Sequence, residues 1–188
     1  MRVISGNLKG KIIQNPTDKK TRPLRDMVRE SIFNILEHSK NQKIDFKKGI
    51  VLDLFSGSGS FGIECLSRGV KKVYFIENYK PSLKILKKNL DDLKINLNSV
   101  IIEKNVYEIS NEDVNDEKID LIYLDPPFKD RNINKLLEKI KNFKLAQSNT
   151  SIIIHRNKKY KDEFIKEFKI FREQSYGISK IIFGKILF

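Results

Sequence analysis

The sequence predicts an α/β domain, a mostly parallel sheet between helices, and three observations carry that expectation. Short apolar runs alternate with helical stretches from residue 50 onward, and such alternation implies parallel strands joined by crossover helices. A glycine-rich turn, Gly57-Ser58-Gly59-Ser60-Phe61-Gly62, joins the first of these runs to the first of these helices. An Asp-Pro-Pro-Phe tetrad at 125–128 ends a later run. At 188 residues the chain is long enough for one domain with a proper core, and a hydrophobic share of 39% excludes wholesale disorder.

The elements follow in order. Arg2–Ser5 and Lys11–Gln14 alternate around a Gly-Asn-Leu-Lys-Gly turn, the pattern of a basic β-hairpin. A linker through Pro16 and Pro23 leads to a helix with Val28, Ile32, Ile35 and Leu36 on one face. Strand Ile50–Leu54, helix Ser60–Arg68, strand Lys72–Ile76 and helix Pro81–Leu93 come next. Strand Val100–Glu103, a short helix near Ser110–Val114 and strand Ile119–Leu124 follow. A helix near Asn132–Asn142, strand Ser151–His155 and a helix over Tyr160–Glu167 precede a closing antiparallel pair, Phe168–Glu173 and Lys180–Leu187, joined through Tyr176-Gly177. No internal repeat or second domain is evident. A single domain over 1–188 is expected, with residues 1–40 as a basic hairpin-and-helix extension on a sheet core at 49–188.

The turn formally matches the dinucleotide fingerprint G-x-G-x-x-G. Asp53, four residues before Gly57, argues against a dinucleotide, because it would repel a pyrophosphate at the helix N-terminus. S-adenosylmethionine carries an ammonium and a sulfonium, so the same carboxylate becomes favourable. Phe55, Gly57, Ser58 and Gly59 complete this candidate cofactor loop, the glycines allowing close backbone approach. Glu77 ends the next strand, where a carboxylate can accept both ribose hydroxyls of either cofactor. Asn105 and Val106 follow the third strand and are candidates to meet an adenine, an ordinary loop being the alternative.

The tetrad is the second chemical signal. Pro126 and Pro127 lack N–H groups and fix φ, so the chain can neither continue the strand nor start an ordinary helix. Asp125 and the Pro126 carbonyl then form an acceptor-only surface beside the ring of Phe128. Such a surface suits a planar group that brings donors, above all the exocyclic amine of a nucleobase. Taken alone, the tetrad fits a rigid strand exit equally well.

Charge bounds the partners. The net charge of +13 is inflated by a lysine-rich composition, so its distribution matters more. Residues 1–30 carry a net +5 and hold four of the eight arginines, whereas residues 31–130 are nearly neutral at −1. Basic flanks on a neutral core suggest a polyanionic substrate, most simply nucleic acid. Lys9, Lys11, Arg22, Arg25 and Arg29 are the expected phosphate contacts, the alternative being that the helix presents some of these arginines towards the cofactor pocket, and deleting residues 1–15 is expected to weaken RNA binding far more than cofactor binding. The single Cys65 reads as a small core hydrophobe and the two histidines lie far apart, so no metal site is expected. With no apolar run near the ~20 residues that span a bilayer, and no signal-peptide core, a cytoplasmic protein is expected.

Three segments together resemble a known family: TRPLRDMVRESIFNIL, VLDLFSGSGSFGIECLSRGV and IDLIYLDPPF. They are similar to those of the RsmD-like bacterial 16S ribosomal RNA guanine-N2 methyltransferases, and the likeness covers nearly the whole chain. The glycine turn and tetrad are shared by many amino-methylating enzymes. Thr21-Arg22-Pro23 with Asp26, Arg29 and Glu30 is the more specific marker. The resemblance implies a class I methyltransferase (Rossmann-like) sheet of seven strands, mostly parallel with the last antiparallel. It also implies S-adenosylmethionine as cofactor, a guanine of 16S rRNA as substrate, naked or in a small-subunit particle, and a monomer without membrane contact. Amino-methylation of adenine or guanine in another RNA or in DNA stays open, as does methylation of a protein or small molecule, and an RNA-binding module with a vestigial pocket. Two positions depart from the family pattern. Asn105 stands for an Asp that would face the adenine amine. His155-Arg156 stands where an acidic residue is expected, either to reach a phosphate or to cap the sheet edge in water.

Overall fold

The structure, a computed structural model, describes residues 1–17, 26–39 and 44–188. Seven strands form one sheet in the order β3-β2-β1-β4-β5-β7-β6. They are β1 (Ile50–Leu54), β2 (Lys72–Ile76), β3 (Ser99–Ile102), β4 (Leu121–Leu124), β5 (Ser151–Asn157), β6 (Phe168–Tyr176) and β7 (Ser179–Ile186). The first five are parallel, and β7 runs antiparallel to both β5 and β6. The expected class I sheet with its reversed last strand is therefore present.

Strand periodicity divides the core into two layers. Val51, Val73, Phe75, Leu121, Tyr123, Ile153 and Phe183 face one side, where helices α1 (Asp26–His38), α2 (Ser60–Ser67) and α3 (Lys80–Leu93) pack. The alternate residues Leu52, Leu54, Tyr74, Ile122, Leu124, Ile152 and Ile154 face the other, against α4 (Ile133–Asn142) and the short 3₁₀ turns Val106–Glu108 and Glu112–Val114. Both faces of the central strands are buried, so their sequences are continuous apolar runs rather than alternating ones.

The N-terminal segment folds back as the expected hairpin, with Arg2 bridged to Ile12 and the Val3 N–H donating to the Lys11 carbonyl at 2.9 Å. It is locked to α2 by the buried Glu64, whose carboxylate accepts from the Ile4 N–H at 2.7 Å and the Ser5 N–H at 2.9 Å. Two expectations are corrected here. Arg29 is not a surface cation: it is fully buried, bonded to the Arg2 carbonyl and paired with Asp26 at 3.0 Å, with Glu64 at 3.9 Å. Burial lowers its guanidinium below the usual value, with Glu64 and Asp26 opposing that shift. Likewise, residues 160–167 form no helix. Asp162 is drawn inward to the buried Arg156 at 2.7 Å, while Phe164 and Ile165 pack on the core as irregular chain. Arg22 and Arg25, with the Thr21–Pro23 marker, lie outside the described residues.

Candidate active site

The chain runs outward from β1 to β3 and then crosses back to β4, so strand order reverses between β1 and β4. Ligands of open α/β sheets bind at the carboxyl ends of the strands at this switch point. Leu54 pairs with Leu124, and the Asp125 N–H donates to the Leu54 carbonyl at 3.3 Å. The glycine loop and the tetrad therefore leave adjacent strands side by side.

Each glycine of the loop has its own reason. Gly57 and Gly59 have φ of +56° and +82°, the left-handed region that glycine occupies without strain. Gly62 is ordinary helix, but a Cβ there would stand 2.3 Å from the Phe75 ring, so its role is close packing of α2 on β2. Phe55 also has positive φ, +62°, an outlier for a bulky residue. Its ring meets Tyr107 edge-on at 6.3 Å and walls the loop on the β3 side.

The carboxylates decide the electrostatics. Asp53 is 1% exposed and accepts from the Gly62 N–H at 3.0 Å, in the first turn of α2. Burial pushes its carboxyl well above the ordinary range, the Gly62 bond opposes this, and the charges of Asp125 and Glu77 add to the rise. An anion site at this helix terminus is thus already taken by a carboxylate of the chain itself. Glu77 accepts from Gly57 N–H at 2.8 Å through Oε2, and from Asn78 and Tyr79 N–H at 2.9 and 2.7 Å through Oε1. A carboxylate offers about four lone pairs, so these three backbone donors fix its orientation and leave it acceptor capacity towards the candidate pocket. Ser58 is buried, its hydroxyl donating to the Asn15 side-chain oxygen at 2.9 Å. Asn105 is exposed and accepts the Tyr107 N–H at 3.1 Å, and Val106 lies buried behind it.

At the tetrad, Asp125 is held by a residue that sequence reasoning placed otherwise. The His155 Nδ1 lies 2.8 Å from Asp125 Oδ1, and its ring is edge-on to Phe128 at 5.6 Å. His155 is 5% exposed and Arg156 fully buried, so neither expected role, phosphate contact or solvated edge cap, is met. Arg156 donates to the Asp130 carbonyl at 2.7 Å, and Tyr107 donates to the Asp130 carboxylate at 2.8 Å. These two bonds fasten the loop that follows the tetrad. The only sequence signal for this network was the departure at 155–156 itself. Among the described residues no group of three or more His, Cys, Asp or Glu side chains is arranged to hold a metal ion, and no helix is long and apolar enough to cross a membrane.

A family model described as conserved hypothetical protein 95 matches residues 1–185. Ribosomal RNA small subunit methyltransferase D of Buchnera aphidicola subsp. Acyrthosiphon pisum is 34% identical over 158 residues, 84% of this chain and 78% of its own. The protein of the same name from Haemophilus influenzae is 32% identical over 158 residues, covering 84% and 72%. This chain belongs to the RsmD-like family. Among solved structures, HI0767 of Haemophilus influenzae matches with a TM-score of 0.75 at 26% identity, over 99% of this chain and 98% of that one. The yhhF structure of Escherichia coli, at 23% identity and a TM-score of 0.80, shares the fold over 99% and 97% of the two chains. The class I architecture of the RsmD-like family is thus found on independent grounds of sequence and shape.

Proposed function

We propose that the protein transfers a methyl group from S-adenosylmethionine to the N2 amine of a guanine in 16S ribosomal RNA, naked or within a small-subunit particle, as a cytoplasmic monomer. The observation that carries this reading is the junction of a carboxylate-capped glycine loop with an acceptor-only tetrad at one switch point. Glu77 and Asp125 give the pocket a negative field, which fits a cationic cofactor and opposes a pyrophosphate, while Asp53 supports the loop from beneath through the Gly62 N–H. No atom would stand within 4 Å of a Cβ at Gly57, so the loop backbone is open to close approach there. Asp53, Phe55, Gly57, Ser58, Gly59, Glu77, Asn105 and Val106 are the residues assigned to hold the cofactor. When bound, S-adenosylmethionine supplies a methyl already activated on a sulfonium.

The chain's own residues prepare the acceptor. An aromatic amine is a poor nucleophile because its lone pair is delocalised into the ring. Asp125 and the Pro126 carbonyl accept its two hydrogens, draw the nitrogen towards tetrahedral geometry and aim its lone pair. Among the described residues nothing donates to the Pro126 carbonyl, so it is available for this role. The new N–C bond would form as the methyl–sulfur bond breaks, its electron pair going to sulfur, and the amine proton would leave to Asp125 or to water. Phe128 stacks on the target base, which must be turned out of its helix or taken from a loop. Positioning of this kind supplies much of the rate, since the donor is already activated. Lys9 and Lys11 are exposed and assigned to phosphates. The test is incubation with labelled S-adenosylmethionine and 16S rRNA, followed by mass spectrometry of the nucleosides. N2-methylguanosine is the expected product; label entering DNA or protein instead overturns the reading.

A further inference from the structure

His155, two residues before the end of β5, has both ring nitrogens engaged, Nδ1 at 2.8 Å from Asp125 Oδ1 and Nε2 at 2.9 Å from Ser179 Oγ. An ionised carboxylate can only accept, so the Nδ1 hydrogen is donated to Asp125. In the neutral ring Nε2 then accepts from the Ser179 hydroxyl, which fixes the tautomer. The antiparallel entry of β7 makes this possible: Asn157 pairs with Ser179 and His155 with Ile181, so the Ser179 hydroxyl is the diagonal neighbour of the imidazole.

The other oxygen of Asp125 is differently placed. Its contact with the Tyr123 hydroxyl is 3.5 Å, long enough to yield to a better donor. Among the described residues, titratable groups that interact with the carboxylate come from Asp53 of β1, Tyr123 of β4 and His155 of β5. Of these, His155 alone gives Asp125 a short hydrogen bond among the described residues. The imidazole also makes a T-shaped contact with Phe128, the other tetrad side chain assigned to the base. We propose that His155 is a positioning residue for methyl transfer: it commits Asp125 Oδ1 through Nδ1 and thereby presents Oδ2, at a fixed angle, to the target amine. This inference rests on the amine-methylating reading above. It assigns a purpose to a side chain that departs from the family pattern.

Two near-isosteric variants separate positioning from bulk packing. The side-chain amide nitrogen of Asn falls close to the position of imidazole Nδ1, and that of Gln close to the position of Nε2. His155→Asn therefore keeps the donor to Asp125, and His155→Gln keeps the link to Ser179 while losing that donor. Single-turnover methyl transfer to 16S rRNA, at saturating S-adenosylmethionine, is measured beside cofactor affinity and melting temperature. His155→Gln should lose about 30-fold in rate, within the ~100-fold that a misplacement of about 1 Å can cause, with cofactor affinity unchanged. His155→Asn should keep most of the rate. Equal rates for the two variants, or losses that track melting temperature, overturn the proposal. Nitrogen-15 spectra of the wild-type imidazole give a readout independent of activity: Nδ1 bearing hydrogen is expected, and a bare Nδ1 overturns the contact. A wild-type protein that methylates no RNA, yet shows protonated Nδ1, overturns the proposed function while leaving the contact intact.

Discussion

Asp125 and Asp53 are both carboxylates at strand ends, but their surroundings assign them opposite tasks. Asp125 keeps 23% of its side chain exposed, where a substrate amine can reach it. Asp125→Asn preserves size and one acceptor oxygen while removing the charge, so single-turnover methyl transfer should fall by a factor of about 100 or more with cofactor affinity little changed. A near wild-type rate would remove Asp125 from the chemistry. Asp53 lies under the loop, and burial raises its carboxyl. Between the unfolded value of about 3.9 and that raised value, the folded state holds a proton that the unfolded state has released. The stabilising contribution is complete below the unfolded value and is lost as pH rises through the folded one. Asp53→Asn cannot ionise, so its stability relative to wild type should grow with pH, read from urea midpoints between about pH 4 and pH 8. A difference independent of pH would mean that the carboxyl is not shifted. Asp53→Ala, which removes the acceptor of the Gly62 N–H as well, should weaken S-adenosylmethionine binding about tenfold, read by calorimetry. The motifs made these residues visible in the sequence. The environments that divide their tasks were not visible, because Gly62 and His155 meet them only through the fold.

The strands were legible because a central parallel strand is a continuous apolar run, as at Ile50–Leu54 and Leu121–Leu124. Helix α1 was legible from the spacing of Val28, Ile32, Ile35 and Leu36, all buried in the structure. Arg29 was not, since an arginine on a helix reads as exposed unless a distant partner is known, here Glu64 on α2. The absent helix at 160–167 has a similar cause, a side chain claimed by a buried cation. The N-terminal segment likewise changes meaning. Val3 and Ile13 are in the core, Asn15 touches Ser58 of the cofactor loop, and Gln14 shares hydrogen bonds with Asn89 on α3. Deleting residues 1–15 should therefore weaken cofactor binding along with RNA binding, contrary to the sequence-based expectation. Glu64→Ala isolates the docking itself, because it leaves two backbone N–H groups without their acceptor, Arg29 with Asp26 alone and Arg68 with Glu37 alone. Removing one partner of a buried pair costs ~3–5 kcal/mol, so chemical denaturation should show a loss of that order. A loss under about 1 kcal/mol, the worth of a surface pair, would show that the hairpin docks through its apolar contacts and its bonds to Ser67 rather than through Glu64.

The hairpin lies along α2 from the glycine loop, reached through Asn15 and Ser58, to the far helix end, where the Asn7 N–H donates to the Ser67 carbonyl at 2.8 Å. Eight helical residues rise about 12 Å, so Lys9 stands roughly that far along the molecule from the pocket. RNA that presents a base to Asp125 and a phosphate to Lys9 must run over the outer face of the hairpin. The two lysines then contribute to affinity without contributing to chemistry, and the measurable consequence is ionic. Each neutralised phosphate adds roughly 0.7–0.9 to the slope of log affinity against log salt. Lys9→Ala and Lys11→Ala should each flatten that slope by about one contact and weaken binding uniformly across sequences. Cofactor binding supplies the control. Saturation at 100 times the dissociation constant stabilises a protein by about 2.7 kcal/mol. For a chain of this length that corresponds to a rise of roughly 5–10 °C in melting temperature. Both lysine variants should retain the full rise with S-adenosylmethionine, and neither they nor the wild type should show it with NAD. A flattened slope with an intact thermal shift assigns the hairpin lysines to RNA. An unchanged slope would send the RNA across another face and leave the hairpin with a purely architectural task.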